Sequence, residues 1–147
     1  MPSYKRRVRD LFLLAAELGE ADAYEEVALS YYATTTNENP TKAVEYYLKG
    51  ANAGSAICMR HLADIYKNGF GTIKPDREKH IYYLKLAAEK GNSIAQYWLG
   101  CAYYKGNYGL PKDKKMADFW FEKSANNEKE PYSYAKLPLN GDYSKIQ

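Results

Sequence analysis

Small, large apolar and aromatic side chains recur four residues apart in three stretches of this chain: Ala23, Val27 and Tyr31; Cys58, Leu62 and Tyr66; Ala95, Leu99 and Tyr103. Residues four apart lie above one another on an α-helix, so each set forms one apolar stripe and predicts an amphipathic helix. Each stretch opens on a glycine, Gly19, Gly54 or Gly91, and these glycines are 35 and 37 residues apart. A second helical pattern follows each first one. Tyr46, Tyr83 and Trp120 coincide in it, as do Ala51, Ala88 and Ala125. Val8 to Gly19 repeat the second pattern once more, 35 residues earlier, with Leu11 in the aromatic slot and Ala16 in the small one.

The breaks agree with the stripes. Glycine takes the left-handed conformation that ends a helix at little cost. Pro40, Pro75 and Pro111 precede the second helices, where a fixed φ and a missing N–H do least harm. Asp76 and Asp113 are placed to cap them. Lys67 to Asp76 and Lys105 to Asp113 are loops rich in glycine and proline, while Thr34 to Asn39 replaces that loop in the first pair. No segment alternates apolar and polar residues as a half-buried strand does. The pattern predicts one repeat domain over 1–147: a truncated opening repeat at 5–19, repeats at 20–54, 55–91 and 92–127, and a C-terminal cap or tail at 128–147. Each helix pair exposes an apolar face that only a stacked neighbour covers, which is the logic of a solenoid.

The series Ala95, Leu99, Gly100, Tyr103, Gly106, Gly109, Leu110, Asp113, Ala117, Trp120 and Ala125 resembles the Sel-one-like repeat, a longer-looped relative of the tetratricopeptide repeat. A second copy keeps Leu62, Tyr66, Gly69, Gly71, Asp76, Tyr83, Ala88 and Gly91, and departs at Ala63, where glycine is usual, and at His80, where alanine is usual. The resemblance implies an all-α, right-handed α/α solenoid of helix–loop–helix repeats, and an adaptor or scaffold role. In tetratricopeptide-like stacks the first helices line the concave face. By register that face carries Asp22, Glu25, Leu29 and Tyr32, then Ile57, Arg60, Asp64 and Lys67, then Ile94, Tyr97, Cys101 and Tyr104. Tyrosine and arginine are the expected hot spots.

Composition narrows the alternatives. The 147 residues are long enough to bury a core, and 27% charged with 46% hydrophobic residues is ordinary for a globular protein. A net charge of +3 does not point to nucleic acid or an anionic membrane. The basic clusters Lys5–Arg9 and Lys112–Lys115 are short, interrupted by acids and expected to be solvated. The apolar run Leu11 to Ala16 is too short for a signal core, and no stretch reaches the roughly 20 residues that span a bilayer. Without framework spacing, Cys58 and Cys101 indicate a reducing, cytoplasmic setting. They are also set about 9 Å apart along neighbouring helices, beyond bridging range, so free thiols are expected.

Candidate chemistry is sparse. Cys58 and His61 are spaced as a nucleophile and base, but Cys58 occupies the small core slot shared with Ala23 and Ala95, where a thiol is inert. Two histidines and two cysteines give no zinc spacing. Gly69-Phe-Gly71 lacks the strand context of a phosphate loop. Of the 16 tyrosines, several come in pairs, and one member of each falls on a packing slot. The expectation is a non-enzyme without cofactor or metal that binds another protein or peptide. The alternative is a small stand-alone inhibitor, such as an immunity protein that neutralises a toxin.

Overall fold

The computed structural model describes residues 4–32 and 39–146 of the chain, and among these it contains helices and no strand beyond one isolated bridge between Phe70 and Ile73. The helices are α1 (Tyr4–Glu17), α2 (Ala23–Tyr32), α3 (Pro40–Asn52), α4 (Ala56–Asn68), α5 (Arg77–Glu89), α6 (Ser93–Lys105), α7 (Lys114–Ala125) and α8 (Lys136–Leu139), with a 3-10 turn at Ser133–Ala135 before the last. The all-α repeat fold expected from the stripes is the fold observed. The loop expected at Thr34 to Asn39 lies outside the described residues except for Asn39. Two compact units emerge, Met1–Tyr83 and Leu84–Gln147, divided within α5.

The helix ends follow the sequence chemistry. The Asp76 carboxylate accepts from Lys79 N–H and that of Asp113 from Met116 N–H, each at 3.1 Å. Asn39, Ser55 and Asn92 cap α3, α4 and α6 in the same way, although periodicity alone did not single them out. Gly54 and Gly91 have φ values of 97° and 98° with nothing within 4 Å of an added Cβ. There the backbone conformation, and not crowding, calls for glycine.

In the first unit α1 packs on α2, α2 on α3 and α3 on α4. Val27, Ala43, Tyr47, Cys58 and Leu62 are completely buried. The aromatic slots pair in the first two repeats: Tyr31 stacks on Tyr46 at 5.6 Å and Tyr66 on Tyr83 at 5.9 Å between ring centres. Leu11, in the same slot of α1, is instead 68% exposed, because no described helix precedes α1 to face it. The two departures from the repeat pattern answer one another. His80 and Ala63 are both buried, and a 2.7 Å hydrogen bond joins His80 Nδ1 to the Ala63 carbonyl. Burial also holds the His80 imidazole below its ordinary pKa. The ring is thus buried against α4 with its polar edge satisfied.

In the second unit α6 lies against α7. Leu99 and Phe121 are buried, and a Cβ at Gly100 would stand 2.6 Å from the Phe121 ring. That close approach explains the glycine. Buried Ser124 Oγ donates to the Ser93 carbonyl at 2.6 Å. After α7 the chain turns back, and Tyr132 N–H donates to the Ser124 carbonyl at 3.0 Å. The C-terminal segment then packs Ala135 and Ile146 into a core with Tyr97, Cys101, Ala117, Phe121 and Ala125.

Candidate first-helix binding surface

The first helices of the repeats, α2, α4 and α6, carry every residue of the expected binding face except Asp22, which lies in the turn ahead of α2. In the first unit, α2 contributes half-buried Glu25 and Leu29 and stacks Tyr32, 41% exposed, on Phe70 at 4.2 Å between ring centres. From α4 come half-buried Ile57 and Arg60 with exposed Asp64 and Lys67. Arg60 Nη1 donates to Asp64 Oδ2 at 3.1 Å, one turn further along the helix. This surface mixes apolar, aromatic and oppositely charged groups, with Tyr32, Asp64 and Lys67 exposed.

Part of the expected face works inward. Glu25 Oε1 lies 2.9 Å from His61 Nε2, and Ser55 Oγ donates to Asp22 Oδ1 at 2.6 Å. Both contacts join residues more than 30 positions apart, so the acids of the first repeat fasten it to the second. The Tyr47 ring stacks on His61 at 4.9 Å. The Tyr47 hydroxyl and Arg60 Nε are buried without a hydrogen-bond partner. Burial, reinforced by the Glu25 charge, drives the Tyr47 phenol well above its ordinary pKa. His61 is thus engaged in packing and pairing.

The second unit corrects the expectation for α6. Tyr97 and Cys101, expected to face a partner, are 4% and 5% exposed. The chain's own C-terminal segment covers them. Tyr132 lies 5.2 Å from Tyr97, Tyr143 stacks on half-buried Tyr104 at 4.5 Å and 5°, and Ile146 joins the same core. The physical reason is area: an aromatic side chain buries 150–250 Å², and a face with two tyrosines and a cysteine is apolar enough to hold a segment of the chain. Burial and the neighbouring Cys101 raise the Tyr97 phenol pKa. Tyr132, Tyr143 and Ile146 escaped the sequence reading because they follow no helical period. The tyrosines and aliphatic residues scattered through 128–147 were the available signal.

Reactive chemistry does not assemble on this surface. Cys58 is fully buried, its thiol pushed up to about 11 chiefly by that burial. Neither cysteine is in a disulfide. Among the described residues no group of histidine, cysteine and carboxylate side chains is disposed to hold a metal ion, and no helix is long and apolar enough to cross a membrane.

Comparison with known proteins places this geometry. The Sel1 repeat model matches residues 21–55, 56–92 and 93–128. A Sel1 repeat protein from Oxalobacter formigenes superposes with a TM-score of 0.77 at 29% identity, covering 90% of this chain and 98% of that one. Cysteine-rich protein B of Helicobacter pylori gives 0.66 at 27% identity, covering 87% and 93%. Chitin synthase regulatory factor 1 of Schizosaccharomyces pombe is 29% identical over 84% of this chain, and the chitin synthase regulator SKT5 of Saccharomyces cerevisiae is 34% identical over 57%. The matches span only 27% and 12% of those two fungal proteins. With three repeat matches in succession over most of its length, the chain belongs to the Sel1 repeat family.

Proposed function

We propose that this chain is a non-catalytic protein-interaction module that holds a partner protein or peptide against the first-helix face formed by α2 and α4. Sel1 repeat proteins are generally protein-interaction adaptors, and the two fungal relatives are regulators by name. The observation that carries the reading is inside the molecule itself. On α6 the first-helix face is already occupied by a tyrosine-bearing segment, with Tyr143 stacked on Tyr104 and Ile146 beside Cys101. A face of the same repeat position on α2 and α4, presenting Tyr32, Leu29, Ile57, Arg60, Asp64 and Lys67, suits a segment of the same kind. It would receive an aromatic side chain beside Tyr32 and a carboxylate or backbone carbonyl at Arg60. Tyr97, Cys101 and Tyr104 have no part in it while the C-terminal segment covers them. The two buried cysteines, neither in a disulfide, fit work in the reducing cytoplasm.

The test is affinity purification of the intact chain with cross-linking, followed by titration of the captured partner. Tyr32→Ala and Arg60→Ala are expected to weaken binding, at least one of them by about 2 kcal/mol. Lys49→Ala and Glu89→Ala, on second helices, are expected to change it little. The proposal fails if the second-helix changes abolish binding and the first-helix changes leave it intact.

A further inference from the structure

The two ends of the described chain differ in what covers them. At the C-terminal end the chain supplies its own cover, the segment holding Ala135, Tyr143 and Ile146. At the N-terminal end α1 buries Ala16 and half-buries Val8, Phe12 and Leu13. Its other side carries Tyr4, Leu11, Leu14 and Leu18 at 82, 68, 52 and 78% exposure. These positions are separated by seven, three and four residues, the spacing of a seam along which one helix packs on another. A run of large apolar groups left in water over more than three turns marks an interaction surface.

The repeat register says what kind of element covers such a seam. Leu11 occupies the slot of Tyr46 and Tyr83, and each of those stacks on a tyrosine from the adjacent first helix. Helices joined by short loops run antiparallel to their neighbours, so the uncovered seam calls for an antiparallel helix with an apolar stripe. A second α1 meets that description. A two-fold axis across the middle of the helix makes the two copies antiparallel and brings Leu11 of one against Leu14 of the other. The charges agree with that direction. Arg6 and Arg7 are exposed near the start of α1, and Glu17 and Glu20 are exposed at and just beyond its end. In an antiparallel pair Arg7 of one copy would lie at the level of Glu17 and Leu18 of the other, its stem able to cover Leu18 and its guanidinium to meet Glu17. A parallel pair would set like charges against each other.

We propose that α1 is a self-association surface and that the chain forms a two-fold dimer through antiparallel α1 helices, with the Leu11–Leu14 seam at its centre and Arg7–Glu17 pairs at its ends. Sedimentation equilibrium of the full chain tests this. A concentration-dependent dimer is expected. Leu11→Asp with Leu14→Asp is expected to weaken it roughly a hundredfold or more, since like charges would face each other across the seam, while the helical circular dichroism stays unchanged because both side chains are already exposed. Arg7→Glu alone and Glu17→Arg alone are each expected to weaken the dimer, and the two together to restore most of the loss. A chain that stays monomeric up to several hundred micromolar (roughly a 5 kcal/mol limit) overturns the proposal. So does a dimer that survives the paired aspartates, or a double charge reversal no better than its parts.

Discussion

Replacing Tyr47 by phenylalanine removes one oxygen from the centre of the first unit and is expected to stabilise the protein. The Tyr47 side chain is completely buried and its hydroxyl has no hydrogen-bond partner. Taking an unpaired hydroxyl out of water costs about 1–3 kcal/mol, and phenylalanine keeps the ring that packs on His61. A gain of about 1 kcal/mol is expected once the small void left behind is allowed for. Alkaline pH widens the difference. The folded-state phenol pKa is raised by burial and by Glu25, whereas in the unfolded chain it lies near 10. Titration of Tyr47 therefore leaves stability untouched well below pH 10 and lowers it as the pH climbs towards the folded value, because the unfolded chain ionises first. Phenylalanine escapes that loss, so its lead over the native protein is expected to grow by about 1 kcal/mol between pH 10 and pH 11. Tyr97, Tyr83 and Cys58 keep an alkaline sensitivity of the same sign, the pKa of each being raised by burial. Urea titrations at neutral and alkaline pH, followed by circular dichroism and by tyrosine absorbance, measure both effects. Coincidence of the two probes checks that one transition is being read. A loss of more than about 1 kcal/mol at neutral pH would show that the hydroxyl is paired, on the scale of a broken buried hydrogen bond, and would refute the reasoning.

Two further outcomes follow from the core. Leu99→Ala should destabilise by about 2–5 kcal/mol in urea titration, because the helices beside it already touch at Gly100 and Phe121 and cannot close the gap; a cost below half a kcal/mol would contradict the packing. Cys58 and Cys101 should react with a thiol reagent only at the rate of unfolding in native buffer and at once in denaturant, with two thiols counted, since both are buried and neither is in a disulfide; rapid native labelling of Cys58 would contradict its burial.

Particular residues show where sequence reasoning succeeded and where it stopped. Val27, Leu62 and Leu99 are buried as the stripes required. Asp76 and Asp113 cap their helices. These features depend on contacts within a repeat, or on a contact that recurs in each one, so the spacing of residue types exposes them. Asn39, Ser55 and Asn92 were missed as caps because a polar residue before a stripe is common and only the backbone geometry selects it. Glu25 and Asp22 were assigned to a partner on register alone. Their bonds to His61 and Ser55 cross from one repeat to the next, a distance over which periodicity carries no information.

The sequence by itself determined the helix pairs, their length, the residues that join them and the repeat family, because a period of about three dozen residues writes the same local physics into the chain several times. Only the tertiary structure decided which first-helix faces are open. Tyr97 and Cys101 hold the same repeat positions as Arg60 and Asp64, yet the former pair is buried and the latter is not. The difference lies some 40 residues downstream, in Tyr143 and Ile146, which belong to no repeat and reach α6 only because the chain turns back after α7. Burial is a property of the whole fold: a side chain is covered by whatever apolar group packs on it, and nothing in its own position states which segment that will be.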